Sequence, residues 1–406
     1  MSTGIEQGRA KIAWAEAHMP LLNRIRDDFK NERPFAGKRI AMSIHLEAKT
    51  ACLAILLRDG GAEMAVTGSN PLSTQDAIAE ALAEHDRISV YARHGATEDE
   101  YTEHLRQTLA FQPDLILDDG GDLLQQLLES PQPQVLGGAE ETTTGVARLR
   151  ILEREGRLLF PMFAVNDAKL KHLFDNRYGT GQSTWDAITR STNLLVAGKD
   201  VLVVGYGWCG RGIALRAEGL GARVTVAEID PVKALEARMD GFAVAPVAEA
   251  IKTADFAITA TGCIDAIPEE ALQNAKHGAL LANAGHFNVE VRPETLARMA
   301  VEQRTARDGV EEYVMPDARR LYLFGEGRLV NLVCGDGHPV EIMDLSFAVQ
   351  VLTLQYLLDH APLDAALYPV PAEIDDRIAR IKLETLGASI DALTPEQRAY
   401  LGLDPA

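Results

Sequence analysis

The chain has 406 residues, with 59 Asp and Glu against 40 Lys and Arg, for a formal net charge of −19. Acidity without a basic block argues against general nucleic-acid or anionic-membrane binding, and no uninterrupted apolar run reaches membrane-spanning length. Four scattered cysteines (Cys52, Cys209, Cys263, Cys334) with no C-x-x-C pair give neither a disulfide framework nor a zinc site, so no metal is expected.

The length implies two domains of about 150–200 residues each. The N-terminal "MSTGIEQGRAKIAWAEAHMP" lacks the apolar run and cleavage pattern of a secretory leader, so a cytoplasmic enzyme is expected. Residues 10–30 read as one amphipathic helix, with Ile12, Trp14, Leu21, Leu22 and Ile25 among charges. Then "RIAMSIHL" reads as a strand, "AKTACLAILLRDGG" as a helix closed by glycines and "AEMAVTGS" as a strand. "STQDAIAEALAEH" follows as a helix with Ser73 as its cap, then the strand "RISVYA", the helix "DEYTEHLRQTLAF", and "PDLILDDGGDLLQQLLE" as strand, glycine turn and helix. Strand and helix periods alternating at this pace predict a doubly wound, mainly parallel sheet. Its functional groups belong at the carboxyl ends of strands. His45, Glu47, Asn70, Asp118 and Asp119 all fall at such ends.

The pattern restarts at residues 199–230. "VLVVGYGWCGRG" gives Gly205-x-Gly207-x-x-Gly210 between an apolar strand and a helix, and the next strand, "RVTVAEID", ends in Glu228. Gly205 serves the tight turn, Gly207 the approach of a pyrophosphate and Gly210 close helix–strand packing. The phosphates then sit on a helix N-terminus. Glu228 can accept both ribose hydroxyls and would repel a 2′-phosphate, which points to NAD. "DFAITATGC" and "GALLANAGH" are further apolar strands ending in small residues, the second followed by His286. "SFAVQVLTLQYLLDH" (346–360) reads as a strong helix.

The motifs "DDGGDL", "EETTTGV", "NDAKLKHLFDNRYG", "GKDVLVVGYGWCGRG", "EIDPVKALEA", "TGCIDAI", "NAGHFNVEV" and "EGRLVNLVCGDGHP" occur in the order seen in adenosylhomocysteinases. With "SNPLSTQD" and "LTPEQRAYLG" near the two ends, the resemblance spans nearly the whole chain. It implies an α/β fold of two doubly wound parallel-sheet domains: a substrate domain at 1–183, a Rossmann NAD domain at 184–335, a segment returning to the substrate domain at 336–380, and a short C-terminal segment at 381–406. It also implies NAD as cofactor, a nucleoside thioether as substrate and a homotetramer (or homodimer). In this family NAD oxidises the ribose 3′-hydroxyl, the C4′ proton becomes acidic, homocysteine is eliminated from C5′, water adds, and the hydride returns.

By resemblance, Lys171 and Asp175 serve the 3′-hydroxyl while Glu141 holds the ribose hydroxyls. Crowding by Lys169 would lower the Lys171 pKa toward that of a base. Asp119 and His45 serve C4′ deprotonation and departure of the thiol, with His286 on the homocysteine and ribose side. Thr142, Thr143, Thr144, Asn176 and Asn331 contact NAD. His338 lies in a flexible loop beside the base, and Thr50, Gln75, Met343 and Phe347 complete the substrate contacts. Taken alone, "DDGGD" reads as a capped turn, "EETTTG" as a helix start and "NDAKLKHLFDN" as a solvated helix face. Their co-occurrence favours the site. One alternative class is a non-catalytic NAD-binding regulatory paralogue, against which the retained His45, Asp119, Glu141, Lys171, Asp175 and His286 argue; another is an ordinary NAD dehydrogenase, which cofactor cycling without net NADH production would exclude.

Three positions depart from the family pattern. The chain stops at "YLGLDPA", where a tail reaching a neighbouring subunit's NAD commonly begins, and Thr180 stands where a cysteine is common. The third is the stretch usually written H-x-T-x-E-T, which reads His45-Leu46-Glu47-Ala48-Lys49-Thr50. There the Thr addresses purine N1 and the Glu the 6-amino group. Glu47 and Lys49 invert both polarities, as a 6-oxopurine requires, so S-inosyl-homocysteine joins S-adenosyl-homocysteine as a candidate substrate. The competing reading pairs Glu47 with Lys49 in a surface ion pair and leaves adenine to the His338 loop.

Overall fold

The computed structural model describes residues 4–403. The last residues of "YLGLDPA", 404–406, lie outside them. Strands run at Arg39–Ser43 (β1), Glu63–Thr67 (β2), Ile88–Val90 (β3), Leu115–Asp118 (β4), Gly137–Glu140 (β5), Met162–Ala164 (β6), Asp200–Val204 (β7), Arg223–Ala227 (β8), Ala243–Val244 (β9), Phe256–Thr259 (β10), Leu280–Asn283 (β11), Glu302–Arg307 (β12), Val310–Val314 (β13), Arg320–Phe324 (β14) and Leu367–Pro369 (β15). They form a seven-stranded sheet, β15-β6-β5-β4-β1-β2-β3, and an eight-stranded sheet, β12-β13-β14-β11-β10-β7-β8-β9.

Every pairing in the first sheet is parallel. The second is parallel except for the added edge hairpin β12–β13–β14. Its outermost strand is exposed at every position and carries Glu302, Arg304 and Arg307, charges that discourage edge-to-edge pairing. In both sheets the chain order reverses beside the first strand, between β1 and β4 in one and between β7 and β10 in the other. Such switch points open a crevice at the carboxyl ends of the strands. His45 and Asp119 follow β1 and β4, and Gly205 and Ala260 follow β7 and β10.

Two local expectations need correction. The N-terminal helix is two helices, Gly4–Ala17 and Pro20–Glu32. Pro20, which has no N–H and clashes with the preceding turn, can only begin a helix there. Ser73 caps nothing: it ends a short 3₁₀ turn, Pro71–Ser73, whose own cap is Asn70, and the next helix starts at Asp76.

Val340–His360 is long and apolar enough to span a membrane by composition, yet 72% of its most apolar window is buried in the protein. Met343, Phe347, Val351 and Leu354 join the core under the first sheet. Asp344, on the same helix, accepts the N–H groups of Leu21 and Leu22 at 3.2 and 2.8 Å and the Lys382 ammonium at 2.7 Å. That buried carboxylate caps Pro20–Glu32 and ties the late segment to the start of the chain. Asp375 accepts the Lys169 and Leu170 N–H groups at 2.9 and 3.0 Å, holding the run that carries Lys171.

Helix Thr180–Thr192 packs closely against helix Trp208–Gly219 in the core beside the second sheet. A Cβ at Gly212 would lie 1.8 Å from the Arg177 carbonyl oxygen, and one at Gly181 2.5 Å from that of Gly212. Only glycines allow this approach. Gly212→Ala should therefore destabilise the protein by about 2 kcal/mol or more, seen as a lower midpoint in denaturant unfolding.

Candidate active site

Lys171–Gly179 winds as a wide i→i+5 helix before tightening into Thr180–Thr192. The wide turn buries Lys171, Asp175 and Asn176 together while Lys169 stays exposed, so the run is a site wall and not a solvated face. Lys171 Nζ is 2.8 Å from Asp175 Oδ1 and 4.0 Å from Glu141 Oε1. Burial opposes its charge, but Asp175 and Glu141 outweigh burial and hold its pKa above the usual lysine range. The expected lowering by Lys169 is overturned, because Lys169 faces away and carboxylates are the near neighbours. Burial likewise opposes the Asp175 carboxylate, and Lys171 and His338 overcome it, driving that pKa well below the ordinary range. His338 Nδ1 stands 2.9 Å from Asp175 Oδ1, and Ser346 donates to Oδ2 at 2.6 Å.

Asp118 and Glu140 are register partners at the ends of β4 and β5, so four acids, Asp118, Asp119, Glu140 and Glu141, crowd two neighbouring strand ends. Glu140 accepts from the Gly120 and Thr142 N–H groups, both at 2.9 Å, fixing the turns that carry Asp119 and Glu141. Burial raises Glu141 to about 8, with Lys171 pulling the other way and Asp119 and Asp175 adding to the rise. Burial raises Asp118 to about 7. Neighbouring carboxylates in a low dielectric cannot all ionise.

His45 Nδ1 lies 2.6 Å from Ser73 Oγ. Ser73 spends its own proton on the Asn70 carbonyl at 2.9 Å, so it accepts from Nδ1–H and leaves Nε2 as the basic nitrogen. That nitrogen is buried without a hydrogen-bond partner, 3.4 Å from Asp119 Oδ2. Burial drops the His45 pKa to about 4, against the pull of Asp119, so the ring is neutral at pH 7. His286, from the other sheet, places Nδ1 3.7 Å from Asp119 Oδ1 and packs over Gly120. Among the described residues, His45, Asp119 and His286 each bring a ligand atom within 4.8 Å of the others, a spacing that could hold a metal ion.

These groups share a cavity of about 180 Å³, also lined by Glu47, Lys49, Thr50, Thr142, Thr143, Thr144, Asn176, Asn331, His338, Met343 and Phe347. It continues past Thr143, Asn166, Asn176 and Cys209 into a larger cavity of about 1340 Å³ lined by Gly205, Gly207 and Glu228. Gly205 has φ +94°, a Cβ at Gly207 would meet nothing within 4 Å, and one at Gly210 would strike the Gly205 carbonyl at 1.9 Å. Those are the turn, the open approach and the close packing a dinucleotide needs. Glu228 is steadied by the N–H groups of Tyr206, Ile229 and Asp230 at 2.6–3.0 Å. Thr144 Oγ1, Glu141 Oε2 and Asn331 Oδ1 are buried along this path with no protein partner, as groups awaiting a ligand are. The residues present fit NAD.

Gln75 is not brought to the cavity; its side chain accepts from Lys11 Nζ at 2.7 Å. Glu47 and Lys49 do reach the cavity, but as a pair: Lys49 Nζ is 2.8 Å from Glu47 Oε2, with both side chains under 10% exposed. The ion pair is thus real but buried, not on the surface. Glu47 also caps the helix Ala48–Asp59 through the N–H groups of Lys49 and Thr50. Sequence reasoning missed Asn166, which accepts from Thr143 and Asn176 at 3.1 Å each, and the roles of Ser73, Glu140 and Ser346. Asn166 and Glu140 each adjoin or lie inside a motif already singled out, which was the available signal.

A buried acid whose pKa is raised binds a proton that the unfolded chain releases. Glu141 therefore costs stability as pH rises from its unfolded value toward about 8. Glu141→Gln should make the melting profile over that window shallower than the parent's, by up to about 1.4 kcal/mol per pH unit, with the gap closing at acid pH.

The family model for S-adenosyl-L-homocysteine hydrolase matches residues 3–135, and that for its NAD-binding domain matches 176–337. An adenosylhomocysteinase of Thermotoga maritima is 57% identical, covering 97% of this chain and 98% of its own length. An S-inosyl-L-homocysteine hydrolase of Methanocaldococcus jannaschii is 53% identical, covering 98% and 96%. Identity this close on both sides leaves the base to the site itself. The chain belongs to the S-adenosyl-L-homocysteine hydrolase family.

Proposed function

We propose that this chain reversibly hydrolyses an S-nucleosyl-L-homocysteine to L-homocysteine and the nucleoside, with NAD as a catalytic cofactor. The observation that carries the reading is the buried Lys171–Asp175 pair, set between the dinucleotide cavity and the His45–Asp119–His286 group. Bound NAD supplies a reversible hydride acceptor for ribose C3′. Lys171 and Asp175 manage the 3′-hydroxyl proton, and Glu141, whose carboxyl burial biases toward its neutral form against the pull of Lys171, binds the ribose hydroxyls. With NAD bound, a positive ring near Lys171 would oppose the ammonium charge and favour loss of the Lys171 proton. Neutral His45 offers Nε2, beside Asp119, to take the C4′ proton and to protonate the departing sulfur. His286 closes this side from the second sheet. Cytoplasmic residence and a homotetrameric or homodimeric assembly go with this reading; the four free thiols agree with a reducing compartment.

For the base, we favour hypoxanthine. The Lys49 ammonium gives one proton to Glu47 and one to the Asp336 carbonyl at 2.7 Å, keeping a third for a 6-oxo group. Thr50 Oγ1 donates its proton to the His45 carbonyl at 2.6 Å, so Glu47 Oε1 keeps a lone pair for N1–H. Adenine in the same pose would face donor with donor and acceptor with acceptor, a mismatch of a few kcal/mol.

Steady-state rates on both thioethers test this. We expect kcat/KM about tenfold or more higher for S-inosyl-L-homocysteine; preference for the adenosyl form overturns the base assignment, and inactivity on both overturns the reaction.

A further inference from the structure

The segment Cys334–Pro339, "CGDGHP", leads from the second sheet's side into Val340–His360. It is pinned at several points. The Asp336 carbonyl accepts from Lys49 Nζ at 2.7 Å, and the Asp336 carboxylate takes Arg190 at 2.7 Å. Two residues on, His338 reaches Asp175 through Nδ1 at 2.9 Å and Thr180 Oγ1 through Nε2 at 3.2 Å. Gly337 between them has φ +73°, a Cβ there would lie 2.7 Å from Leu332, and its N–H donates to the Asn331 carbonyl at 2.8 Å. The segment has little slack, so a displacement at Asp336 is carried to His338. His338 shares Asp175 Oδ1 with Lys171.

We infer that Lys49, besides touching the base, is a positioning residue for Lys171 and Asp175: through the Asp336 carbonyl it holds His338 on Asp175, and so sets Asp175 against Lys171. The inference rests on the proposed reaction and deepens it. Occupancy of the base site is then expressed in the rate of ribose oxidation as well as in binding. A displacement near 1 Å at a reacting group costs about a hundredfold in rate, so a loose strap is felt in the chemistry.

The test needs a nucleoside that Lys49 cannot contact through hydrogen bonds. In benzimidazole riboside the six-membered ring carries no polar atom. NAD-loaded holoenzyme is mixed rapidly with saturating inosine or benzimidazole riboside, and reduction of the bound cofactor is followed at about 340 nm. Lys49→Met should slow the limiting rate with benzimidazole riboside about tenfold or more, and Lys49→Arg, which keeps an N–H for the carbonyl, should restore most of it. The double variant Glu47→Gln, Lys49→Met removes the unpaired buried carboxylate as a cause of misfolding and should show the same slowing. A limiting rate within twofold of the parent in both Met-bearing variants, with only the inosine reaction changed, overturns the inference. Failure of the parent protein to reduce its cofactor with inosine, benzimidazole riboside and adenosine alike instead overturns the proposed reaction.

Discussion

The carboxylate of Asp175 is buried among three donors from three parts of the chain. Lys171 approaches from its own wide helical turn, His338 from the segment after the second sheet, and Ser346 from the long helix that returns to the first. A lone buried carboxylate would be strongly unfavourable, so the anion is stable only while all three segments stay in place. The return of the chain beneath the first sheet, fixed by Asp344 and Asp375, brings two of those donors to it. The site therefore depends on the path of the chain between the sheets as much as on either sheet alone.

Around that anion the charges are sorted by environment. Lys171 is held cationic by its neighbours, Glu141 is pushed toward neutrality by burial, and His45 is kept neutral with its basic nitrogen turned inward. Each sheet contributes a switch-point crevice, one supplying His45 and Asp119, the other the glycine turn. His286 crosses from the second sheet to Asp119. On the proposed reading, a ribose lying between the crevices would meet Lys171 and Asp175 at one carbon and His45 at the next.

Much of this was legible in the sequence because the signals were local. Gly205, Gly207, Gly210 and Glu228 occupy fixed offsets in one strand–turn–helix unit, and their backbone requirements are steric. Asp118 and Asp119 followed from their strand-end position after β4, whereas their crowding with Glu140 and Glu141 depends on the pairing of β4 with β5, which spacing does not show. What was not legible depended on partners distant in the chain. Ser73 looked like a helix cap because its partner, His45, lies 28 positions away. Lys171 looked crowded by Lys169 because sequence proximity does not show which face a residue takes. Gln75, carried over by resemblance, points instead to Lys11. Whether Glu47 and Lys49 pair with each other or face a base was undecidable from spacing. The structure has them do the first while lining the cavity where they can do the second.

The central claim is that C–S cleavage proceeds through ribose oxidation and loss of the C4′ proton, and isotope exchange tests it directly. Hydrolysis run in deuterium oxide, with the nucleoside product analysed by mass spectrometry and proton NMR, should give one carbon-bound deuterium at C4′. A product that retains its C4′ hydrogen through turnover would mean direct displacement at C5′, and would contradict the account.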